Sequence, residues 1–145
     1  MNNHPSDEPY DLPITVSQGD IDQLGHVNNI VYLRWVQEAA IAHWNAAATV
    51  AQKEAVAWVV ARHEIDYKYS ARLGDEIIAR TWVGIIVKNF FERHTEILRA
   101  KDRKLLARAC TLWCPVDHRT GRPVRAGNDI REQWSVSDEK EESKQ

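Results

Sequence analysis

Hydrophobic and polar positions change their period once along this chain. From Asn28 to Val50 the residues are helical in character: many alanines, few β-branched residues, and no proline or glycine. Asn28 or Asn29 can cap the start of such a helix. At roughly 100° per residue, Arg34, Glu38, Asn45 and Gln52 fall within about 40° of one another and form a narrow polar stripe. Most of the remaining circumference is apolar or aromatic, including Ile30, Tyr32, Leu33, Trp35, Val36, Ala39, Ala40, Ile41, Trp44 and Ala47. A helix so apolar is expected to be buried on most sides.

After it the period falls from 3.6 to 2. The stretches Val56 to Ser70, Glu76 to Asn89, Phe90 to Ala100 and Lys104 to Val116 are rich in Val, Ile, Trp, Phe, Tyr and Thr. In the first, Val59, Ala61, Ile65, Tyr67 and Tyr69 read as one face, and Arg62, Glu64, Asp66 and Lys68 as the other. Turn signals separate the strands: Leu73-Gly74-Asp75, Lys88-Asn89 and Lys101-Asp102-Arg103. Ile14 to Gln18 reads as a short first strand. Short turns imply antiparallel neighbours. The expected architecture is α+β, with an antiparallel sheet wrapped around a long central helix. Such a sheet leaves edges and an apolar surface, so a homodimer or homotetramer is expected.

Composition narrows the classes. With 145 residues, one domain is expected, from about Asp11 to about Trp134. The polar N-terminus, residues 1–10, and the charged tail, residues 135–145, read as disordered. A formal charge of −2 lacks the basic excess of a duplex-binding module, so no nucleic-acid partner is expected. The longest wholly apolar run, Ala55 to Ala61, is too short to span a bilayer, and nothing near Met1 resembles a signal peptide. A cytoplasmic protein without a membrane partner is the expectation. Cys110 and Cys114 lie four residues apart on a strand, roughly 13 Å between Cα atoms and beyond disulfide reach. No second Cys/His pair completes a zinc site, so they read as small core residues.

The richest chemistry lies between the first strand and the helix, in Asp20-Ile21-Asp22-Gln23-Leu24-Gly25-His26-Val27-Asn28-Asn29. Two carboxylates, a glycine, an imidazole and two capping asparagines stand where a helix begins. Backbone N–H groups there have no helical carbonyl to satisfy them. That combination suits polarisation and attack of a carbonyl. Each residue also has an ordinary structural use: Asp22 and His26 can serve a turn, and the asparagines can serve a helix cap.

The pattern Asp-x-Asp-x-x-Gly-His-Val-Asn-Asn-x-x-Tyr-x-x-Trp, from Asp20 to Trp35, resembles the hotdog-fold acyl-CoA thioesterases, in particular the 4-hydroxybenzoyl-CoA thioesterase-like branch. Plant fatty acyl-ACP thioesterases carry a similar His-Val-Asn-Asn segment. Ile65-Asp66-Tyr67 with Ala71-Arg72-Leu73-Gly74-Asp75, and Val116-Asp117 with Thr120-Gly121-Arg122-Pro123-Val124, resemble further parts of that family, so the likeness covers most of Ile14 to Val124.

The resemblance implies a hotdog fold and hydrolysis of an acyl-CoA, with no cofactor and no metal. Asp22 matches the family's catalytic carboxylate and would act as nucleophile or as general base on water. Asn29, with Asn28, would offer oxyanion donors. Gly25 would let the substrate approach the backbone, with Val27 beside it. His26 would orient water or protonate the thiolate. Leu24 departs from the plant pattern, which has Asn there, and Glu38 and Glu64 are secondary carboxylate candidates. Coenzyme A needs cations. Lys88 is the first choice, with Arg62, Arg72, Arg93, Arg99, Arg103, Arg119 and Arg122 also available. Trp58, Trp82, Phe90 and Phe91 are candidates for shaping the acyl cavity. Two alternatives share the fold: a non-catalytic module that binds acyl-CoA or an acyl chain, and hydration or dehydration of an acyl thioester.

Overall fold

Alternating apolar residues build five strands, and antiparallel pairing orders them. In a computed structural model, which describes residues 5, 6 and 8–136, the chain runs β1 (Tyr10–Thr15), a 3-10 turn (Gln18–Asp20), α1 (Asn29–Ala47), α2 (Val50–Ala55), β2 (Ala57–Tyr67), β3 (Glu76–Val87), β4 (Phe90–Arg99), β5 (Lys104–Val116) and α3 (Asn128–Gln133). The strand order is β1-β3-β4-β5-β2, and every pair is antiparallel. The hotdog arrangement of a curved sheet and a long central helix is present. The terminal segments read as disordered lie largely outside the described residues.

One side of α1 packs into the sheet. Val31, Tyr32, Trp35, Val36 and Ala39 meet Ile77, Ala79, Ile97, Leu106, Ala107 and Ala109. Trp35 is fully buried, and burying such a side chain is worth about 1.5–3 kcal/mol. A second cluster sits at the C-terminal end of α1, where Ala40, Val83, Phe91 and Trp113 meet Ile130 and Trp134. Trp44, Trp58, Phe91, Trp113 and Trp134 line a cavity of about 60 Å³ there.

Four expectations change. The first strand begins at Tyr10 and ends at Thr15, earlier than the apolar reading placed it. It is an edge strand and so tolerates Pro13, and Arg80 grips Asp11 through two hydrogen bonds of 2.8 and 3.0 Å. The long helix stops at Ala47, because Thr49 and Gln52 form a reciprocal capping box that starts α2. Gln52 thereby leaves the polar stripe and is buried, donating to Asp129 and Gln133. In β2 the pairing register shifts between Val60 and Arg62. That bulge at Ala61 inverts the alternation, so Val59 is 47 % exposed while Trp58 and Val60 pack inward.

The fourth concerns α1, which the sheet covers on one side only. Ile30 and Ile41 remain 69 % and 50 % exposed, on the side that also carries Arg34, Glu38 and Asn45. Within one chain the helix is therefore not buried on most sides. Cys114 is a core residue as read, but Cys110 is only half-buried, and both are free thiols.

Candidate active site

The loop between the 3-10 turn and α1 is closed by its own backbone. The Asp22 N–H donates to the His26 carbonyl at 2.8 Å and the Gly25 N–H to the Asp22 carbonyl at 3.1 Å. Ile21 and Val27 form a β-bridge across its base. Gly25 sits at φ 81°, a left-handed backbone that glycine adopts without penalty. A Cβ at Gly25 would meet nothing within 4 Å, so the backbone angle, not crowding by the protein, is what calls for glycine.

Asp22 serves this loop with one oxygen. Its Oδ1 accepts from Leu24 N–H at 2.9 Å and from His26 N–H at 3.2 Å. Its other oxygen has no hydrogen-bond partner among the described residues. The carboxylate is thus fixed in direction yet keeps an oxygen for a substrate or water. The preceding carboxylate differs. Asp20 is 4 % exposed, accepts from Ser17 N–H and Oγ at 3.0 Å each, and pairs with Arg34 at 2.9 Å. Burial opposes its charge, but the Ser17 and Arg34 hydrogen bonds outweigh that and hold its pKa below the usual carboxylate value. Asp20 is fully engaged and structural.

The helix mouth leaves one donor open. Asn28 is the N-cap, its Oδ1 accepting from Ile30 N–H at 3.2 Å. Its own N–H donates to the Asp20 carbonyl at 2.9 Å. Asn28 N–H is therefore occupied. Asn29 N–H, at the first position of α1, has no acceptor among the described residues and faces the positive end of the helix dipole. His26 is half-exposed beside Asp22, and its imidazole has no hydrogen-bond partner among the described residues. Val27, read as a substrate contact, is 2 % exposed and packs in the core, with its N–H on the Ala71 carbonyl at 3.0 Å. It anchors the loop.

Two tyrosines brace this mouth, and the sequence reading did not give them that role. Tyr32 Oη accepts from Ala71 N–H at 2.7 Å. Tyr67 Oη donates to the Asn29 carbonyl at 3.0 Å. Their rings meet edge to face at 5.4 Å. The spacing of Tyr32 from Asn28, one turn into the helix, was visible, but its partner at Ala71 was not.

The other candidates scatter. Lys88 occupies the β3–β4 hairpin at φ 59°. The site lies at the opposite end of β3, where Glu76 pairs with Thr15, so about eleven residues of strand, roughly 36 Å, intervene. Arg93 is buried inside, not at a surface mouth. Arg72 adjoins the Ala71 that holds the loop, and Arg99 lies at the same end of the sheet, opposite Ile77. Glu38 is exposed on α1 and 3.6 Å from Arg34. Glu64 is on the outer face of β2, paired with Arg62 at 3.3 Å. Trp82 also faces outward and stacks on His94, whereas Trp58 and Phe91 line the interior cavity.

Comparison with known proteins places this geometry in context. The sequence model of the thioesterase-like superfamily matches residues 16–134. Comparison with curated protein sequences finds no match. Among solved structures, a thioesterase from Thermus thermophilus complexed with coenzyme A and Zn is 25% identical, with a TM-score of 0.72, over 92% of this chain and 95% of that one. A 1,4-dihydroxy-2-naphthoyl-CoA thioesterase from Synechocystis is 20% identical, with a TM-score of 0.70, over 82% of this chain and 90% of that one. The 12:0-ACP thioesterase from Umbellularia californica is 17% identical, with a TM-score of 0.73, over 86% of this chain but 49% of that one. No described helix is long and apolar enough to cross a membrane.

Proposed function

The chain belongs to the thioesterase-like superfamily and is a thioester hydrolase, and we propose that it cleaves an acyl-CoA to the free acid and coenzyme A, on a single domain spanning residues 11–134. The observation that carries this reading is a directed carboxylate, Asp22, in a closed loop, followed by an open N–H donor, Asn29, at the start of the helix the loop leads into. The coenzyme A bound by the Thermus thermophilus relative supports CoA as the carrier.

Asp22 attacks the thioester carbonyl directly or takes a proton from a water that does. In either route negative charge develops on the carbonyl oxygen, and Asn29 N–H at the helix terminus receives it. Collapse of the tetrahedral species breaks the C–S bond and expels the thiolate. In the direct route this leaves the acyl group as an anhydride on Asp22, which water then hydrolyses to the free acid, restoring the carboxylate. His26 delivers the proton to that sulfur. Gly25 keeps the loop surface free of a side chain where the thioester arrives, and Asn28 holds the mouth in register. Arg72 stands at this end of the sheet to meet the phosphates; Arg99 is at the same end but its guanidinium is held by Asp102 through two hydrogen bonds. Lys88 belongs to a site of this kind only through a partner subunit. A homodimer or homotetramer supplies one: a second copy covers the open side of α1, with Ile30 and Ile41, and the β2 edge beside Val59.

The test is free-thiol release from a panel of short, long and aromatic acyl-CoAs, with Asp22→Asn alongside. Release by the wild type and not by the folded variant is expected. Undiminished turnover in Asp22→Asn would remove Asp22 from the centre of the reaction. Charge reversal at Lys88 that leaves KM unchanged in the oligomer would remove that residue from the site.

A further inference from the structure

The face of the sheet turned away from α1 carries a cluster that hydrolysis does not use. The register aligns Trp82 with His94, His94 with Cys110, and Cys110 with Glu64, so four strands contribute one row. Glu92 lies two residues before His94 on β4 and therefore points to the same face. One donor atom from each of Glu92, His94 and Cys110 lies within 4.8 Å of the other two. The Glu92 Oε1 to His94 Nε2 distance is 3.0 Å.

The surroundings hold this cluster in place. The indole of Trp82 stacks on the His94 ring, 5.7 Å between centroids at 28°, which fixes the imidazole plane. Ile85 N–H donates to Glu92 Oε1 at 3.4 Å. On β3 the neighbouring position is Gly84, where a Cβ would fall 2.4 Å from Glu92 Oε1 and 3.0 Å from His94 Nε2. Any side chain there would push the carboxylate off the imidazole. All three donor residues are half-buried, so the atoms are reachable from solvent.

We propose that Glu92, His94 and Cys110 form a binding site for one zinc-class divalent cation. A thiolate, an imidazole and a carboxylate are the mixed soft and borderline donors that zinc and cobalt(II) take, whereas magnesium and calcium prefer oxygen alone. Loading forms an S–metal bond and breaks the Cys110 S–H bond, and the proton leaves to solvent. His94 coordinates through Nε2 with its proton on Nδ1. Three protein ligands leave a fourth position open to water. The site ties β4 to β5 from outside and stands on the opposite face from the catalytic loop, so it is separate from thioester cleavage.

The experiment is a cobalt(II) titration of the full chain, metal-free and without an affinity tag, read by optical absorption and followed by zinc competition. One equivalent of cobalt per chain, with a sulfur-to-metal charge-transfer band in the near ultraviolet that zinc abolishes, is the expected result. Cys110→Ser should lose that band, and both it and His94→Gln should weaken zinc binding by more than the ~10–100-fold typical of losing a mere outer partner. Thiol release from acyl-CoA should be unchanged in either variant, which separates this site from the catalytic reading. Absence of the charge-transfer band would overturn the proposal and leave an ordinary Glu–His hydrogen bond beside a bystander thiol. So would unaltered zinc affinity in either variant that circular dichroism shows to be folded.

Discussion

The two ends of α1 treat polar groups in opposite ways. At the N-terminal end, Asp22 keeps an oxygen free and Asn29 N–H has no acceptor among the described residues, and both stand at the surface. At the C-terminal end the ionisable groups are buried and bonded to one another, while the buried indole N–H groups of Trp58 and Trp113 have no partner among the described residues. His43 Nδ1 accepts from Arg93 Nη1 at 3.0 Å, and Arg93 Nη1 also donates to Thr81 Oγ1 at 3.2 Å. The Arg93 guanidinium lies 5.9 Å from the centre of the Trp134 ring, and Tyr10 stacks on His43 at 5.1 Å. Burial first, and then the Arg93 charge, push the His43 pKa down to about 4. Burial likewise lowers Arg93 to about 10. The strongly perturbed histidine and arginine thus sit at the end whose open donors are buried indoles. Under the proposed function, an incomplete hydrogen-bond set at the surface, not a shifted pKa, distinguishes the end where the substrate acts.

The sharpest break in that comparison is Asp22→Asn. The amide retains an oxygen that accepts from Leu24 and His26, so the loop stays closed. It cannot act as base or carboxylate nucleophile. Turnover should fall at least ~10³-fold, while the thermal midpoint moves by no more than about 2 °C. Steady-state thiol release beside a melting curve checks both. A melting loss as large as that of a core mutant would show that Asp22 is structural, like His43.

The next effect belongs to the other end and is read in stability. His43 is neutral when folded, since its pKa falls from 6.5 to about 4. The unfolded chain binds that proton more tightly, so the contribution is complete above pH 6.5 and is lost as pH falls toward about 4. The loss is of the order of 2–3 kcal/mol over that window. Urea unfolding at pH 7 and pH 4.5 measures it, with His43→Gln as the control that lacks the titrating group. Wild type and variant losing equal stability on acidification would exclude His43 as the source.

This contrast also explains what the sequence made legible. Asp22, Gly25, His26, Asn28 and Asn29 are contiguous, and a loop leading into a helix is built from neighbours, so its chemistry could be read in order. The start of β5 was read at its observed residue because the turn signal Lys101-Asp102-Arg103 stands directly before it. Val59 was placed on the wrong face because one inserted residue at Ala61 reverses every later position. The end of α1 was readable in principle from Thr49-x-x-Gln52, but the alanines around it kept the helical pattern going. Partners such as His43 with Arg93, Tyr32 with Ala71 and His94 with Cys110 are set by strand register across dozens of residues. No local pattern announces them.

Gly25→Ala tests the loop at lower amplitude. Only the left-handed backbone opposes the methyl group, because nothing lies within 4 Å of it. The cost should be about 1–2 kcal/mol, seen as a lower denaturation midpoint, with turnover reduced less than in Asp22→Asn. A larger loss would mean that the loop closes on something beyond its own chain.

The smallest effect is the most discriminating. Asn28 caps α1 through Oδ1 to Ile30 N–H, while its own N–H holds the Asp20 carbonyl. Asn28→Asp preserves the cap geometry and adds a negative charge at the helix N-terminus, which should stabilise the fold by about 0.3–1 kcal/mol. The same charge would stand beside Asn29 N–H, where the proposed mechanism develops negative charge. It should therefore lower turnover several-fold even as the protein becomes more stable. Asn28→Ala should lose about 1 kcal/mol from the missing cap without that electrostatic penalty on the oxyanion. Stability and rate moving in opposite directions in Asn28→Asp would separate donors kept for the substrate from donors spent on the fold. Parallel movement of both quantities would show that this end of α1, like the other, serves the fold alone.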